Sequence, residues 1–140
     1  MAAVSVLIVN YQGGSVLADC LRHLQRQVMA DFEAIVVDNG STDGSLALAR
    51  EAVAGDPRFV FISAEENVGF AAGNNLAARH ATTPLLALLN PDAFAEPDWL
   101  ARLLEAARRY PDVGMFGSTQ LNAGDPTRLD GAGDHYFCLG

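Results

Sequence analysis

Ala34-Ile35-Val36-Val37-Asp38-Asn39-Gly40-Ser41-Thr42-Asp43-Gly44 is the stretch whose reading decides the fold. Four apolar, largely β-branched residues predict a strand buried on both faces. The seven that follow are polar or glycine, a turn dense in helix-capping side chains. Leu46, Ala49 and Val53 then recur at helical spacing, up to a stop at Gly55-Asp56-Pro57. The same strand-loop-helix unit appears on both sides of it. Upstream, Val4 to Val9 predicts a buried parallel strand, Asn10 to Ser15 a loop, and Leu17, Leu21, Leu24 and Val28 one apolar helix face. Downstream come a strand at Phe59 to Ile62, a loop at Glu65 to Gly69 and an Ala-rich helix from Phe70 to Ala81. A strand at Leu85 to Leu89 is broken by Asn90-Pro91-Asp92. Pro97, at a first helical position, opens a helix carrying Trp99, Leu100, Leu103, Leu104 and Ala107. Val113 to Phe116 predicts a fifth strand, and beyond Ser118 no element is assigned. Four alternations of strand and helix specify an α/β domain: a mostly parallel sheet, right-handed crossovers and helices on both faces.

Composition narrows the partners. The chain has 140 residues, enough for one domain with one core, and half of them are hydrophobic. A net charge of −8 without a Lys/Arg cluster argues against nucleic acid. It leaves room for a small phosphorylated ligand, which a metal ion and backbone amides can neutralise. No apolar run approaches the roughly 20 residues that span a bilayer. The N-terminus lacks the basic region of a signal peptide, so a cytoplasmic location is expected. Cys20 and Cys138 have no companion Cys or His spacing; two reduced thiols are expected rather than a zinc site or a disulfide.

Ligands of open α/β sheets bind beyond the C-terminal ends of the strands. Polar residues fall there four times: Asn10-Tyr11, Asp38-Asn39-Gly40-Ser41, Asn67-Val68-Gly69 and Asn90-Pro91-Asp92. The first loop is not the G-x-G-x-x-G of a dinucleotide site, no P-loop lysine is near it, and no G-x-S-x-G elbow exists. What remains is a carboxylate after the second strand and another after the fourth. Asp38 could accept hydrogen bonds from a base or ribose. Asp92 could hold a divalent cation, Mn²⁺ or Mg²⁺, against a pyrophosphate, because such ions use one or two carboxylates plus phosphate oxygens. Where a diphosphate leaves, a cation stabilises the charge that develops.

Four segments together resemble the family 2 glycosyltransferases of the rhamnosyltransferase-like kind: residues 6–11, 36–45, 67–75 and 88–93, in matching order and spacing. The resemblance implies a GT-A, Rossmann-like fold, with residues 1–140 as the N-terminal nucleotide-sugar-binding part of one catalytic domain truncated at its C-terminus. It implies inverting transfer from a UDP- or dTDP-sugar to a glycan or lipid-linked acceptor in cell-surface polysaccharide synthesis. Peripheral association with the inner membrane face would then involve regions outside this chain. Asn10, Tyr11, Asp38, Asn39, Gly40, Asn67, Gly69, Gly73 and Asn74 map to nucleotide-binding positions, and Asp92 to the metal ligand. Asn90 stands where many relatives have Asp. The family's catalytic base belongs beyond Gly140, with Asp130 and Asp134 as lesser candidates.

Blander readings compete. Asp43 is expected to cap a helix. Tyr11 could stack on a base or be an ordinary half-buried aromatic. His23, His80 and His135 are expected at the surface, and Trp99 in the core. Gly73-Asn74-Asn75 are poor helix formers inside a helix, which hints at function. Two other functions stay open. A sugar-1-phosphate nucleotidyltransferase would want a basic Gly-rich loop, which Gly13-Gly14-Ser15 does not supply. A non-catalytic nucleotide-sugar-binding module would fit the missing base.

Overall fold

The computed structural model describes residues 2–131. Two compact units divide the chain, Met1–Ala101 and Arg102–Gly140. The first contains β1 (Val4–Asn10), α1 (Val16–Gln25), β2 (Phe32–Asp38), α2 (Ser45–Ala52), β3 (Phe59–Ser63), α3 (Phe70–His80) and β4 (Leu86–Leu88). Its four strands form one parallel sheet in the order β3-β2-β1-β4.

The sheet places its most apolar strands centrally. All seven residues of β1 are buried, as are six of seven in β2. Each fully buried Leu, Ile or Val stabilises the fold by about 1.5–3 kcal/mol relative to an exposed one. The strand period of two divides these residues between faces. Leu7, Val9, Ile35 and Val37 share a core cluster with Ala77 of α3. Val6, Ile8, Ala34 and Val36 face the other way, and α1 and α2 lie side by side. Their chain order explains this. The steps β1 to β2 to β3 run in one direction across the sheet, whereas β3 to β4 returns past β1. Right-handed crossovers therefore put α1 and α2 on one face and α3 on the opposite face. The expected parallel α/β architecture with helices on both faces is the one observed.

Gly73 lets α3 approach closely. It is buried, and a Cβ there would lie 2.7 Å from Val9 Cγ1. A poor helix former thus has a packing reason at this position.

Pro97 lies in a turn closed by Trp99 N–H on Glu96 O at 3.0 Å, and α4 (Trp99–Arg109) starts two residues later than expected. In the second unit, Val113 to Phe116 is not a strand. Met115 is 90% exposed, and no chain pairs with the segment among the described residues. Instead β5 (Gln120–Leu121) and β6 (Leu129–Gly131) form an antiparallel pair. An apolar run needs a partner strand to become β-structure, and sequence does not reveal one.

Candidate functional site

The return of the chain from β3 past β1 creates a topological switch point between β1 and β4, where crevices open in sheets of this kind. A cleft of about 560 Å³ lies there, lined by Val9, Tyr11, Gly13, Val16, Phe70, Asn90, Pro91 and Asp92. The β1 tip contributes Val9, and the loop after it Tyr11 and Gly13. Val16 and Phe70 are the first residues of α1 and α3. Asn90, Pro91 and Asp92 follow β4. The two aromatics are open to solvent, Tyr11 at 51% and Phe70 at 59%. Asp92 is exposed and is the only charged residue of the lining.

Behind this surface the loops are tied together by hydrogen bonds. Asn10 and Asp38 are register partners on adjacent strands and both are buried. Asn10 Nδ2 donates to Asp38 Oδ1 at 2.9 Å, to Ser45 Oγ at 2.8 Å and to Ser41 Oγ at 3.1 Å, its two hydrogens shared among three acceptors. Asn10 Oδ1 has no hydrogen-bond partner, and Gly13 leaves it room, since a Cβ there would sit 2.2 Å away. Asp38 Oδ2 accepts from Ser41 N–H at 3.2 Å. Gln12 holds a left-handed backbone, φ 53°, and exchanges hydrogen bonds with Ser41 and Thr42. Asp43 accepts from Ser45 N–H, which opens α2, and from Gly14 N–H at 2.7 Å in the β1 loop. The bonds from Ser45, and then that from Gly14, hold its carboxyl below the ordinary range. Asp43 is therefore not the helix cap expected, since Gly44 holds the N-cap position and no acid lies in the first turn of α2; it precedes the cap and bridges the two loops.

A second tie joins the turn after β2 to the loop before α3. Asn39 is 2% exposed. Its Nδ2 donates to Asn67 Oδ1 at 2.8 Å and to Gly69 O at 3.3 Å, while its Oδ1 accepts from Val68 N–H at 3.0 Å. Asn67 Oδ1 also accepts from Gly69 N–H at 2.9 Å. Gly40, at φ 77°, has no room for a side chain: a Cβ would lie 2.9 Å from the Glu66 carbonyl carbon. Asn74 bonds back to Phe70 O at 3.0 Å within α3.

Under the β4 exit sits Cys20 of α1. Its Sγ–H donates to Asn90 O at 3.6 Å. Burial, and then the negative charge of Asp92, push its thiol up to about 12, so it stays protonated, as expected for a reduced, buried cysteine. His23, expected at the surface, is half-buried and lies 5.2 Å from the Phe94 ring, just beyond Asp92.

Of the residues read from sequence, the structure puts Tyr11 and Asp92 on the cleft. Asn10, Asp38, Asn39, Gly40, Asn67, Gly69, Gly73 and Asn74 do not line it. The Asn10 and Asn39 carboxamide nitrogens, expected at the nucleoside pocket, donate to Asp38, Ser45 and Asn67. Gly73 was expected over the phosphates, but it faces Val9. Asp130 is exposed on β6 in the second unit, with Asn122 Nδ2 3.4 Å away; Asp134 lies outside the described residues. Sequence reasoning missed Phe70, Val16, Gly13 and Val9. Phe70 had a signal, an aromatic first residue after a glycine with φ 86°, but its exposure is visible only in three dimensions.

Metal binding can be tested on the side chains. No group of three or more His, Cys, Asp or Glu among the described residues could cage an ion. Asp92 alone, exposed on the cleft that Asn90 also lines, fits an ion that takes most of its oxygens from a bound phosphate.

An open parallel sheet with helices on both faces and its crevice at this switch point defines an α/β domain of the GT-A type. The chain belongs to glycosyl transferase family 2, whose family model matches residues 5–134. Chondroitin synthase of Escherichia coli is 32% identical over 119 residues, 85% of this chain and 17% of that protein. A mannosyltransferase of Pyrobaculum calidifontis, solved with GDP-Man and Mn²⁺, superposes with a TM-score of 0.70 at 27% identity over 74% of this chain and 32% of that one. TarS of S. aureus, solved with UDP-GlcNAc, gives 0.68 at 22% identity over 84% of this chain and 37% of that one, a likeness of fold. The chain thus spans well under half the length of each of these proteins.

Proposed function

We propose that the cleft between β1 and β4 binds a nucleoside-diphosphate sugar, UDP- or dTDP-linked, as the donor side of an inverting glycosyltransferase. The observation that carries this is the lining itself. It combines two exposed aromatics and two valines with a single charged group, and that group is an acid. A diphosphate beside a lone carboxylate needs a cation between them, and a sugar nucleotide has a base to match the aromatics. The P. calidifontis neighbour, solved with a sugar nucleotide and Mn²⁺, supports this reading.

In this reading Tyr11 stacks on the base, while Asp92 and Asn90 hold a divalent ion. When bound, that ion neutralises charge on the departing diphosphate. An acceptor hydroxyl attacks the anomeric carbon as the bond to the diphosphate breaks, and its proton passes to a carboxylate base outside residues 1–140. These residues then form the N-terminal part of one catalytic domain. The acceptor is a glycan or lipid-linked chain of a cell-surface polysaccharide, handled at the cytoplasmic membrane face. No described helix is long and apolar enough to cross a membrane.

Calorimetry with UDP and dTDP, with and without Mn²⁺, tests this. Affinity should rise with Mn²⁺ in the native chain and lose that dependence in Asp92→Ala. An unchanged Mn²⁺ dependence in the variant overturns the site. A preference for nucleoside triphosphate would instead indicate nucleotidyl transfer.

A further inference from the structure

We propose that Asn39 is a positioning residue: it latches the Asn67-Val68-Gly69 loop and thereby sets Phe70 as a wall of the cleft, without touching the ligand. This rests on the donor-site reading above for what the cleft binds, but not for the latch itself.

Three observations converge. First, the Asn39 carboxamide is buried and engaged by protein on both its nitrogen and its oxygen. Both its donor and its acceptor sides are spent on three consecutive residues, Asn67, Val68 and Gly69. A group already satisfied by protein has little left to offer a ligand. Second, the two loops touch so closely that Gly40 has space for no side chain against Glu66 and Asn67. The contact is built from both sides. Third, the latched loop ends at Gly69, and the next residue is Phe70, which opens α3 and lines the cleft. Gly69 has φ 86° and ψ 164°, a conformation that glycine alone adopts readily, so the turn from the latched loop into α3 is made at this residue.

The consequence is mechanical. Phe70 is 59% exposed, so more than half of its surface faces the cleft and solvent rather than the core. Its place in the wall depends on where α3 begins, and the latch sets that start. Loosening the latch costs ligand affinity through Phe70, although Asn39 makes no contact with the ligand.

The experiment is a double-mutant cycle read on UDP binding in the presence of Mn²⁺. Asn39→Ala and Phe70→Ala should each weaken binding by about tenfold, the scale of one lost hydrogen bond or ring contact. The double variant should be no weaker than the poorer single variant. Additive losses would mean that Asn39 acts on the ligand directly, and would overturn the proposal. Because Asn39 is buried, the exposed partner is the safer second probe. Asn67→Ala should reproduce the loss with little change in Tm; full affinity in that variant also counts against the latch. If the native chain binds no UDP, the donor-site reading fails on its own. Amide hydrogen exchange then decides the latch: Val68 and Gly69 N–H should be protected natively and exposed in Asn39→Ala, and unaltered protection would refute it.

Discussion

Asn10 and Asp38 stand opposite each other at the tips of two adjacent parallel strands, and the Asn10 carboxamide donates to the Asp38 carboxylate across 2.9 Å in a buried site. A carboxylate at this depth needs its donors, so this pair is a point of sensitivity for the whole sheet edge. Asn10→Ala should cost about 2–4 kcal/mol, because it strips a donor from a buried charge. Asn10→Asp should cost more at neutral pH, since it sets two carboxylates in contact, and should recover as acid neutralises one of them. Denaturant unfolding at pH 7 and pH 4.5 checks both. A variant whose stability does not respond to pH would show that the pair is not in contact.

The Gly73–Val9 contact gives a second expectation. Alanine is the better helix former by about 1 kcal/mol, so propensity alone would have Gly73→Ala stabilise α3. With a Cβ 2.7 Å from Val9 Cγ1, overpacking should win, for a net loss of about 1–2 kcal/mol. Adding Val9→Ala should make the double variant about 1 kcal/mol more stable than the sum of the singles. Thermal unfolding of the four proteins measures this coupling, and simple additivity would remove the clash from the account.

The Asp56–Arg58 pair makes a pH prediction. Arg58 donates to both oxygens of Asp56, from Nη2 at 2.7 Å and from Nε at 3.0 and 3.3 Å, and Gln25 Nε2 adds a contact at 3.2 Å. The Arg58 hydrogen bonds, above all, lower the carboxyl from 3.8 to about 2. A depressed value means that the carboxylate stabilises the fold above pH 4 and loses that contribution as pH falls from about 4 to 2. Its size is on the order of 1–2 kcal/mol. Asp56→Asn should therefore be less stable than the native chain at pH 7 and nearly equal to it at pH 2. Equal stability at both pH values would refute the assignment.

Cys20 should be chemically silent in the folded chain. With its thiol at about 12, only about one molecule in ten thousand carries the thiolate at pH 8, and burial hinders the reagent further. Iodoacetamide treatment followed by peptide mapping should find Cys20 unmodified natively and modified in denaturant. Rapid native labelling would mean that α1 does not cover the β4 exit.

Much of the architecture was legible in one dimension, for a physical reason. Apolar runs bounded by polar turns announce Val4–Val9, Ala34–Val37, Phe59–Ile62 and Leu85–Leu89 as strands, although only the first two are buried on both faces, and helices between them force a parallel sheet. Parallel strands share an exit edge, which is why Asp38 and Asp92 could be placed at one end of the sheet. The sequence also carried the four segments that mark the family. It did not carry the lateral order β3-β2-β1-β4, because order depends on which strands pair rather than on what each contains. That order brings Tyr11 and Asp92 to one cleft and lets the start of α3 supply Phe70. Nor could sequence separate the polar side chains that face the cleft from those that brace it. Asn10, Asp38 and Asn39 look like ligand contacts in a list of motifs, yet in space they bond to one another's loops. A carboxamide is the same group in either role, and only its neighbours decide which hydrogen bonds it has left to give.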